Sequence, residues 1–277
     1  MLTANDHSRD SAGLTYVYPV VSRRAGGVSI GINLNVNNAC NWACIYCQVP
    51  DLTRGGPPRI NLEQLENELR GFLHDAVTGD FLSREVPADA RRLMDVAFSG
   101  NGEPTSATEF AEAVALVERI LRDFGLLDAV PLRLITNGSL LNRQGVRKGI
   151  ARIGETGGEI WFKVDSATTQ GMARINGIAR DPQRMCKDLR LCCTLAPTWI
   201  QTCYFAFDGK ENSHEEQTAY LELIGTLRTE IKGVHLYGLA RPSLQAEAPR
   251  LSSIPQDRFT RFAEQISRLG VKVTLNP

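Results

Sequence analysis

The chain has 277 residues, of which 31 are Lys or Arg and 31 are Asp or Glu, so its formal net charge is zero. With 43% hydrophobic and 22% charged residues, its composition is that of an ordinary globular protein. A neutral chain has no overall field that would steer it to nucleic acid or to an anionic membrane, which argues against a dedicated DNA-binding protein. The length exceeds the usual single-domain mode of about 100–150 residues, but α/β barrels reach about 200–250 as one unit, so we expect one large domain.

The sequence gives no sign of membrane insertion or secretion. No stretch approaches the roughly 18 uncharged apolar residues that a membrane helix needs, and segment 1–13 is polar where a signal peptide is apolar. We therefore expect a cytoplasmic protein with no membrane partner. The cysteine count is seven, and a reducing compartment disfavours structural disulfides, so a cluster of cysteines indicates metal or redox chemistry.

Strand and helix patterns alternate along the chain. The β-rich runs 16–21 and 28–34, separated by the Arg- and Gly-rich segment 23–27, predict a hairpin or an edge strand. Asn61 is placed to begin the first helix, with Gln64 as the partner of a capping box. Further strands are predicted at 93–99, 131–136, 159–165, 199–207, 233–239 and 271–275, and helices at 62–73, 110–124, 142–153, 183–195, 213–230 and 256–269.

Strands that alternate with helices of about three turns specify parallel, right-handed βαβ units, so the predicted fold class is α/β. Six such units are visible where a closed barrel would show eight. This leaves two architectures open, a partial barrel and a doubly wound open sheet. Both place ligands at the carboxyl ends of the strands, where we therefore look for functional residues.

Three cysteines, Cys40, Cys44 and Cys47, follow the second β-rich run with the spacing CxxxCxxC. Thiolates at this spacing can converge from one loop onto a soft metal centre, either an iron–sulfur cluster, zinc or Cu(I). A structural zinc site needs four ligands, so three cysteines require a distant fourth ligand or an open coordination position. The alternative is three incidental thiols of the core.

Residues 40–47, CNWACIYC, resemble the signature of the radical S-adenosylmethionine (radical SAM) superfamily, with Tyr46 before the third cysteine. The resemblance implies that Cys40, Cys44 and Cys47 bind three irons of a four-iron four-sulfur cluster and that SAM chelates the fourth. One-electron reduction, by a donor such as flavodoxin or ferredoxin, then cleaves SAM to a 5′-deoxyadenosyl radical that abstracts hydrogen from the substrate.

The same resemblance implies the fold. It is a partial (β/α)6 barrel of the radical SAM type that covers residues 29–277, preceded by a short N-terminal β-hairpin extension over residues 1–28.

The segment FSGNGEPT follows the predicted strand 93–99, where the superfamily carries a GGEP-like motif. A Gly-rich turn here allows close approach of the backbone at Gly102, and Glu103 offers a charge partner for an ammonium group. The family has Gly where this chain has Asn101. By resemblance, the other cofactor-binding candidates are Tyr46, Thr136, Asn137, Asp165, Ser166 and Leu239, with Lys163 beside Asp165. Ordinary turns and strand ends are the alternative for these positions.

Two residues are candidates for catalysis, Cys203 and Tyr237. Cys203 and Tyr204 point to opposite faces of one strand, so one of them must face the barrel interior. If that one is Cys203, it is placed to act as a hydrogen donor or thiyl relay, with core packing as the alternative. Tyr237 shares a face with His235 and is expected to line the substrate pocket. The other cysteines, for which we expect core packing on a helix without an assigned role, are Cys186, Cys192 and Cys193.

Three functions remain open at this point. The layout resembles Fe–S oxidoreductases related to the wyosine-forming tRNA enzymes, which favours a nucleoside or tRNA base as substrate. Those tRNA enzymes carry further cysteines upstream, whereas none precedes Cys40 here, so two-cluster chemistry is not expected. The neutral charge and the lack of a basic domain favour a small metabolite or a peptide. The third function is a non-catalytic metal or electron-transfer protein, in which a distant ligand closes the cysteine site.

Overall fold

The computed structural model describes residues 2, 12–22 and 26–276. The strands are β1 (Val17–Ser22), β2 (Gly27–Ile32), β3 (Ala39–Cys40), β4 (Thr53–Arg54), β5 (Leu93–Phe98), β6 (Leu132–Thr136), β7 (Glu159–Lys163), β8 (Thr198–Cys203), β9 (Ala206–Phe207), β10 (Gly233–Tyr237), β11 (Leu251–Ser252) and β12 (Val273–Asn276). The helices are α1 (Leu62–Val77), α2 (Phe81–Glu85), α3 (Phe110–Asp123), α4 (Gln144–Glu155), α5 (Thr169–Asn176), α6 (Pro182–Leu195), α7 (His214–Leu227) and α8 (Gln256–Ser267).

One eight-stranded sheet dominates the structure, in the order β1-β2-β5-β6-β7-β8-β10-β12. Within this sheet all strands except β1 run parallel, and β1 pairs antiparallel with β2. Neighbouring strands follow the order of the chain, whereas a doubly wound sheet reverses its direction at a switch point. The sheet has β1 and β12 at its two edges. The prediction of an α/β partial barrel with an N-terminal hairpin is therefore confirmed.

Alternation along the strands separates an apolar outer face from a polar inner face. The outward side chains of β5 and β6, including Val96, Phe98 and Leu134, are fully buried under the helices. Phe98 packs edge-on against Phe110 of α3, with ring centroids 5.9 Å apart. Burial of each such side chain contributes about 1.5–3 kcal/mol. This outer core leaves the inner face of the sheet free to carry polar groups.

The inner face at the amino ends of the strands carries a buried ion pair. Arg133 pairs with Asp95, which also accepts a hydrogen bond from the Ser29 hydroxyl. The Arg133 guanidinium lies over the Trp161 ring, 5.0 Å from its centroid. These side chains close the bottom of the barrel with polar atoms, and the space above them is open to a ligand.

Local signals place several helix ends correctly. Asn61 caps α1, and its side chain accepts a hydrogen bond from the Gln64 backbone at 3.1 Å. The Gln64 side chain donates instead to Thr15 and Glu68, so only half of the predicted capping box forms. α3 ends before Gly125, which has a φ of +65° and is the predicted stop.

The structure differs from the predicted elements at two places. The predicted strand 199–207 is interrupted, because β8 ends at Cys203 and β9 leaves the barrel to pair antiparallel with β11. The short helices α2 and α5 were not predicted, since five and eight residues carry little helical periodicity.

The predicted N-terminal extension, with its Arg- and Gly-rich segment 23–27, is described only in part. Residues 1, 3–11 and 23–25 lie outside the described residues, and the predicted boundary after residue 28 falls within β2. The predicted strand 16–21 corresponds to β1. In the part of the chain that the structure describes, no helix has the length and apolar character needed to cross a membrane.

The closing of the barrel edge by β1 leads to a stability prediction. A Cβ at Gly31 would lie 2.0 Å from the Tyr18 ring of β1, so Gly31→Ala must displace that ring from its packing on the sheet. We expect it to lower the free energy of unfolding by about 1–3 kcal/mol, as overpacking does. The matched control Gly71→Ala, at an exposed position of α1 with open space around it, is expected to raise stability by up to about 1 kcal/mol. Urea denaturation measures both, and equal effects of the two substitutions would contradict the packing of Tyr18 on Gly31.

Candidate active site

A cavity of about 320 Å³ lies inside the barrel and extends to the carboxyl ends of the strands. The loop that carries Cys40, Cys44 and Cys47 forms its upper wall. Its floor reaches down to Asp95 and Arg133. The cysteine cluster and the inner polar face of the sheet therefore share one space.

Backbone hydrogen bonds hold the cysteine loop. Cys40 lies in β3, which pairs with β4. The Arg54 guanidinium of β4 donates to the carbonyls of Asn41 and Gly177, which fastens the loop to the end of α5. Ala43 N–H donates to Asn176 O at 3.0 Å, and Ile45 N–H donates to Ile175 O at 2.9 Å. The last carbonyls of α5, which no helical partner can satisfy, thus bind the loop.

Burial controls the protonation of two of the three thiols. It raises the pKa of Cys40 to about 11 and that of Cys44 to about 12. Both are therefore neutral at pH 7, and a metal centre bound there would release their protons. The Asn176 side-chain amide lies 3.3 Å from Cys44 Sγ.

The turn after β5 packs directly against the cysteine loop. A Cβ at Gly102 would lie 2.3 Å from the carbonyl oxygen of Ala39, so only glycine fits this approach. Asn101, the departure from the family motif, donates from its side chain to Asn38 Oδ1 at 2.6 Å. Its backbone N–H donates to Asn33 Oδ1 at 3.1 Å. Asparagine side chains therefore join the turn to the segment before Cys40.

Glu103 presents a buried carboxylate to the cavity, with 3% of the residue exposed. It accepts hydrogen bonds from Thr136 Oγ1 and Asn137 N–H, both at 2.7 Å, and from Thr105. Burial raises the pKa of Glu103 above its usual value, although these hydrogen bonds oppose the rise. The carboxylate is fixed in one orientation at the cavity wall.

A buried arginine binds the turn that follows β6. Arg180 donates to the carbonyls of Asn137 at 3.0 Å and Gly138 at 3.1 Å, and it pairs with Asp188 at 2.7 Å. The Asn137 side chain lines the cavity and donates to Asn41 Oδ1 at 2.8 Å. The turn after β6 is thereby joined to the cysteine loop.

A lysine, two phenols and a buried carboxylate form a hydrogen-bonded group beside Cys44. Tyr46 donates its hydroxyl to Asp165 Oδ2 at 2.5 Å, and Lys163 Nζ donates to Tyr46 and Tyr237. Burial alone would lower the pKa of Lys163, but Asp165, 3.7 Å away, and the neighbouring phenol and thiol groups together hold the pKa well above its usual value. Lys163 is therefore a cation at the cavity wall.

The structure separates the predicted site residues into two layers. Those that line the cavity are Cys40, Cys44, Cys47, Tyr46, Gly102, Glu103, Asn137 and Tyr237. Those that lie behind this lining and contact it are Thr136, Asp165, Cys203 and Leu239. Ser166 lies outside the lining and contacts Thr168, the N-cap of α5.

The structure shows which of Cys203 and Tyr204, at the end of β8, points toward the cavity side of the sheet. Cys203 packs in a small apolar cluster with Ile45 and Phe205, against which Tyr237 also packs. Tyr204 points outward and stacks on Phe262 of α8, with centroids 4.6 Å apart. Cys203 is thus the residue on the cavity side. The three cysteines of α6 pack against the main core, with Cys192 fully buried and the other two, Cys186 and Cys193, half-buried.

Several residues that hold the site were not identified from the sequence. Arg54, Asn176 and Arg180 act through contacts to distant parts of the chain, which no local pattern announces. The alternating asparagines of the segment 32–38 (INLNVNN) were a usable signal, because polar side chains at this spacing are unusual at the end of a buried strand. Within the described residues, no group of three His, Cys, Asp or Glu side chains is close enough to hold a single metal ion.

Comparisons with known proteins extend this picture. No protein-family model matches the chain. A GTPase Obg from Brachyspira hyodysenteriae is 28% identical over 132 residues, which cover 48% of this chain and 17% of that protein. The UPF0026 protein MJ1312 from Methanocaldococcus jannaschii is 29% identical over 163 residues, 59% of this chain and 44% of that protein. The matches therefore span less than half the length of either relative.

Solved structures resemble the chain over most of its length. A radical SAM methyltransferase from Sphaerobacter thermophilus has a TM-score of 0.60 at 15% identity, over 94% of this chain and 68% of its own. The anSMEcpe protein with bound AdoMet has a TM-score of 0.53 at 16% identity, over 88% of this chain and 63% of its own. The chain has the radical SAM fold. The fold that the resemblance at residues 40–47 implies is thus confirmed. The three cysteines lie at the carboxyl ends of its strands.

The buried group around Lys163 leads to a second stability prediction. Lys163→Met leaves the Asp165 carboxylate buried without its cation, so we expect a loss of about 3 kcal/mol in the free energy of unfolding at pH 7. Because the folded-state pKa of Lys163 is raised, its contribution is fully present below the unfolded pKa of about 10.4 and is lost at higher pH. Urea denaturation at pH 7 measures the loss. Lys187→Met, at an exposed position of α6, is the control, and a Lys163→Met variant as stable as this control would contradict the ion pair.

Proposed function

We propose that this protein is a radical SAM enzyme in which Cys40, Cys44 and Cys47 hold one four-iron four-sulfur cluster. The observation that carries the proposal is the shared cavity: the three thiols of the CxxxCxxC loop and the Glu103 carboxylate line one space at the carboxyl ends of a radical SAM barrel. Thiolates are the ligands that iron–sulfur clusters take. The partial barrel over residues 29–277 is the catalytic unit in this proposal.

The residues present suit this group. Each iron of a cluster takes its own thiolate, so the ligands need not converge on one ion as they must for zinc. The indole Nε1 of Trp42, between the first two cysteines, lines the cavity at 2% exposure and has no hydrogen-bond partner among the described residues. A buried donor of this kind fits a group rich in acceptors. A closed zinc site, which is one form of the third function considered above, finds no ligand set in the described part of the chain.

When bound, the cluster and SAM would supply a one-electron cleavage that yields a hydrogen-abstracting 5′-deoxyadenosyl group. Glu103 is placed to accept hydrogen bonds from the SAM ammonium, and the Lys163 cation to bind a carboxylate. Asn137 and Tyr46 complete the polar wall, with Gly102 leaving room for the backbone to approach. These side chains bind and orient the cofactor.

The layer behind the wall supports these contacts. Thr136 orients Glu103, and Asp165 orients Tyr46 and Lys163. We infer that Ser166 and Leu239, also predicted to touch SAM, act in the same way. Ser166 Oγ accepts from the Thr168 backbone, which begins α5, and Leu239 packs against the cluster that contains Cys203.

Tyr237 and Cys203 are the proposed catalytic residues. Tyr237 lines the cavity, with its hydroxyl 3.4 Å from Lys163 Nζ, and it is the register partner of Cys203 in the neighbouring strand and packs against the apolar cluster that contains this thiol. A phenol and a thiol at neighbouring strand positions are suited to donate a hydrogen atom toward the substrate. Apolar packing of Cys203 against Ile45 and Phe205 keeps water from this pair.

We infer a nucleoside or tRNA base as the substrate, because the cavity is lined by the aromatic Trp161 and by the polar side chains of Arg133 and Gln201, which suit a heterocyclic base. A small metabolite or a peptide is the alternative, which the zero net charge favours. A cytoplasmic one-electron donor such as flavodoxin or ferredoxin completes the proposal. The polar floor of Asp95 and Gln201 indicates that the buried end of the substrate carries hydrogen-bonding groups.

The proposal is tested by product formation. After anaerobic cluster reconstitution, addition of dithionite and SAM is expected to yield 5′-deoxyadenosine, quantified by mass spectrometry. Cys40→Ala, Cys44→Ala and Cys47→Ala are each expected to abolish the product and the brown colour. Cys186→Ala, on α6 and outside the cavity, is the matched control and retains both. A chain that stays colourless, or that forms a cluster without binding SAM, would refute the proposal.

The pKa of Glu103 predicts a pH dependence of SAM binding. The ammonium of SAM needs the ionised carboxylate, so binding is present above the pKa of Glu103 and is lost as pH falls through it. Because burial raises this pKa, the loss is expected at a higher pH than for an ordinary carboxyl group. Calorimetric titration with SAM from pH 8 to pH 5 measures it. Glu103→Gln is expected to weaken binding at pH 8 at least tenfold and to flatten the profile, and an unchanged profile would exclude Glu103 as the partner of the ammonium.

A further inference from the structure

Asn176, the last residue of α5, contacts both the cysteine loop and the polar wall of the cavity. Its side-chain Nδ2 lies 3.3 Å from Cys44 Sγ and 2.7 Å from Asp165 Oδ2. The residue is 1% exposed. An amide nitrogen has two N–H groups, so one amide can donate to the sulfur and to the carboxylate at the same time.

The orientation of this amide leaves its other end unsatisfied. Asn176 Oδ1 is buried and has no hydrogen-bond partner among the residues that the structure describes. A buried carbonyl without a partner is energetically costly. The two hydrogen bonds that the amide donates therefore determine its orientation, despite the cost at its carbonyl oxygen.

The backbone fixes Asn176 relative to Cys44. Ala43 N–H donates to Asn176 O and Ile45 N–H donates to Ile175 O, so the residues on both sides of Cys44 are bonded to the end of α5. Gly177, with a φ of +66°, ends the helix directly after Asn176. The distance from the amide to the sulfur is therefore set by the docking of the helix.

We propose that Asn176 sets the reduction potential of the cluster through its N–H···S hydrogen bond to Cys44, an inference that rests on the proposed function. Reduction adds negative charge to a cluster and its sulfur ligands, and a hydrogen-bond donor stabilises that charge. Asp165, which orients Tyr46 and Lys163 in the cavity wall, accepts from the same amide. Asn176 is thus a positioning residue that joins the cluster ligand to the cofactor wall.

The test is a redox titration of the reconstituted full chain, followed by electron paramagnetic resonance without SAM. Asn176→Ala removes the donor, and we expect one-electron reduction to become about tenfold less favourable, which corresponds to about 59 mV. Asn176→Asp has the same shape but no N–H donor and carries a negative charge, so its shift is expected to be larger. Asn176→Ser, whose hydroxyl can still donate one bond, is expected to fall between Asn176→Ala and the unchanged chain.

The control is Asn212→Ala, at a residue whose side chain accepts a hydrogen bond from Arg174, 3.3 Å away. Iron and sulfide content are measured for every variant. A potential of Asn176→Ala equal to that of the unchanged chain, at equal iron content, would overturn the inference and leave the proposed function standing. Loss of iron from Asn176→Ala and Asn176→Ser, with retention in Asn212→Ala, would assign Asn176 to cluster retention and also overturn it. A chain that binds no cluster at all overturns the proposed function and this inference together.

Discussion

The docking of the cysteine loop on the end of α5 is the interaction on which the site depends. Between β3 and β4 the loop has no regular secondary structure to hold it, and thiols without a bound metal contribute little to its order. The backbone bonds of Ala43 and Ile45 to α5, together with the Arg54 bridge, supply that order. The cost of arranging three ligands is thus met by the fold before any cofactor binds.

Contacts with one another explain why the polar groups of the cavity tolerate burial. Lys163, Asp165 and Tyr46 would each be costly alone in a low-dielectric interior, but each contacts another polar or charged partner. The Glu103 carboxylate is likewise stabilised by hydrogen bonds from Thr136 and from the turn after β6. The result is a wall of fixed charges and dipoles, which needs no rearrangement when a charged ligand enters.

The barrel divides these duties between its two faces. Outward side chains such as Phe98 and Leu134 form the core with the helices and carry most of the stability. Inward side chains at the same strands are free of that role and can be polar. The small residues Gly31 and Gly102 mark the places where β1 and the turn after β5 come too close for a side chain. Stability and chemistry are therefore set by alternate residues of the same strands.

Much of this was open to prediction from the sequence, because the relevant signals are local. Alternating strand and helix periodicities predict the α/β class, Asn61 and Gly125 mark helix ends, and the spacing of residues 40–47 predicts a metal loop after the second strand. The interruption of the strand 199–207 was not predictable, because a continuous apolar run does not show that β9 pairs with β11, more than 40 residues away.

What the sequence by itself determined is the order of the elements and the chemical type of the loop, since neighbouring residues encode both. Only the tertiary structure decided that the sheet winds in one direction, that Cys203 rather than Tyr204 lies on the cavity side of the sheet, and that Asp165 stands behind Tyr46 rather than in the lining. It also revealed Asn176 and Arg180 as parts of the site. The physical reason is that a side chain's direction and partners depend on contacts between segments distant in the chain, and those contacts exist only once the helices have packed on the sheet.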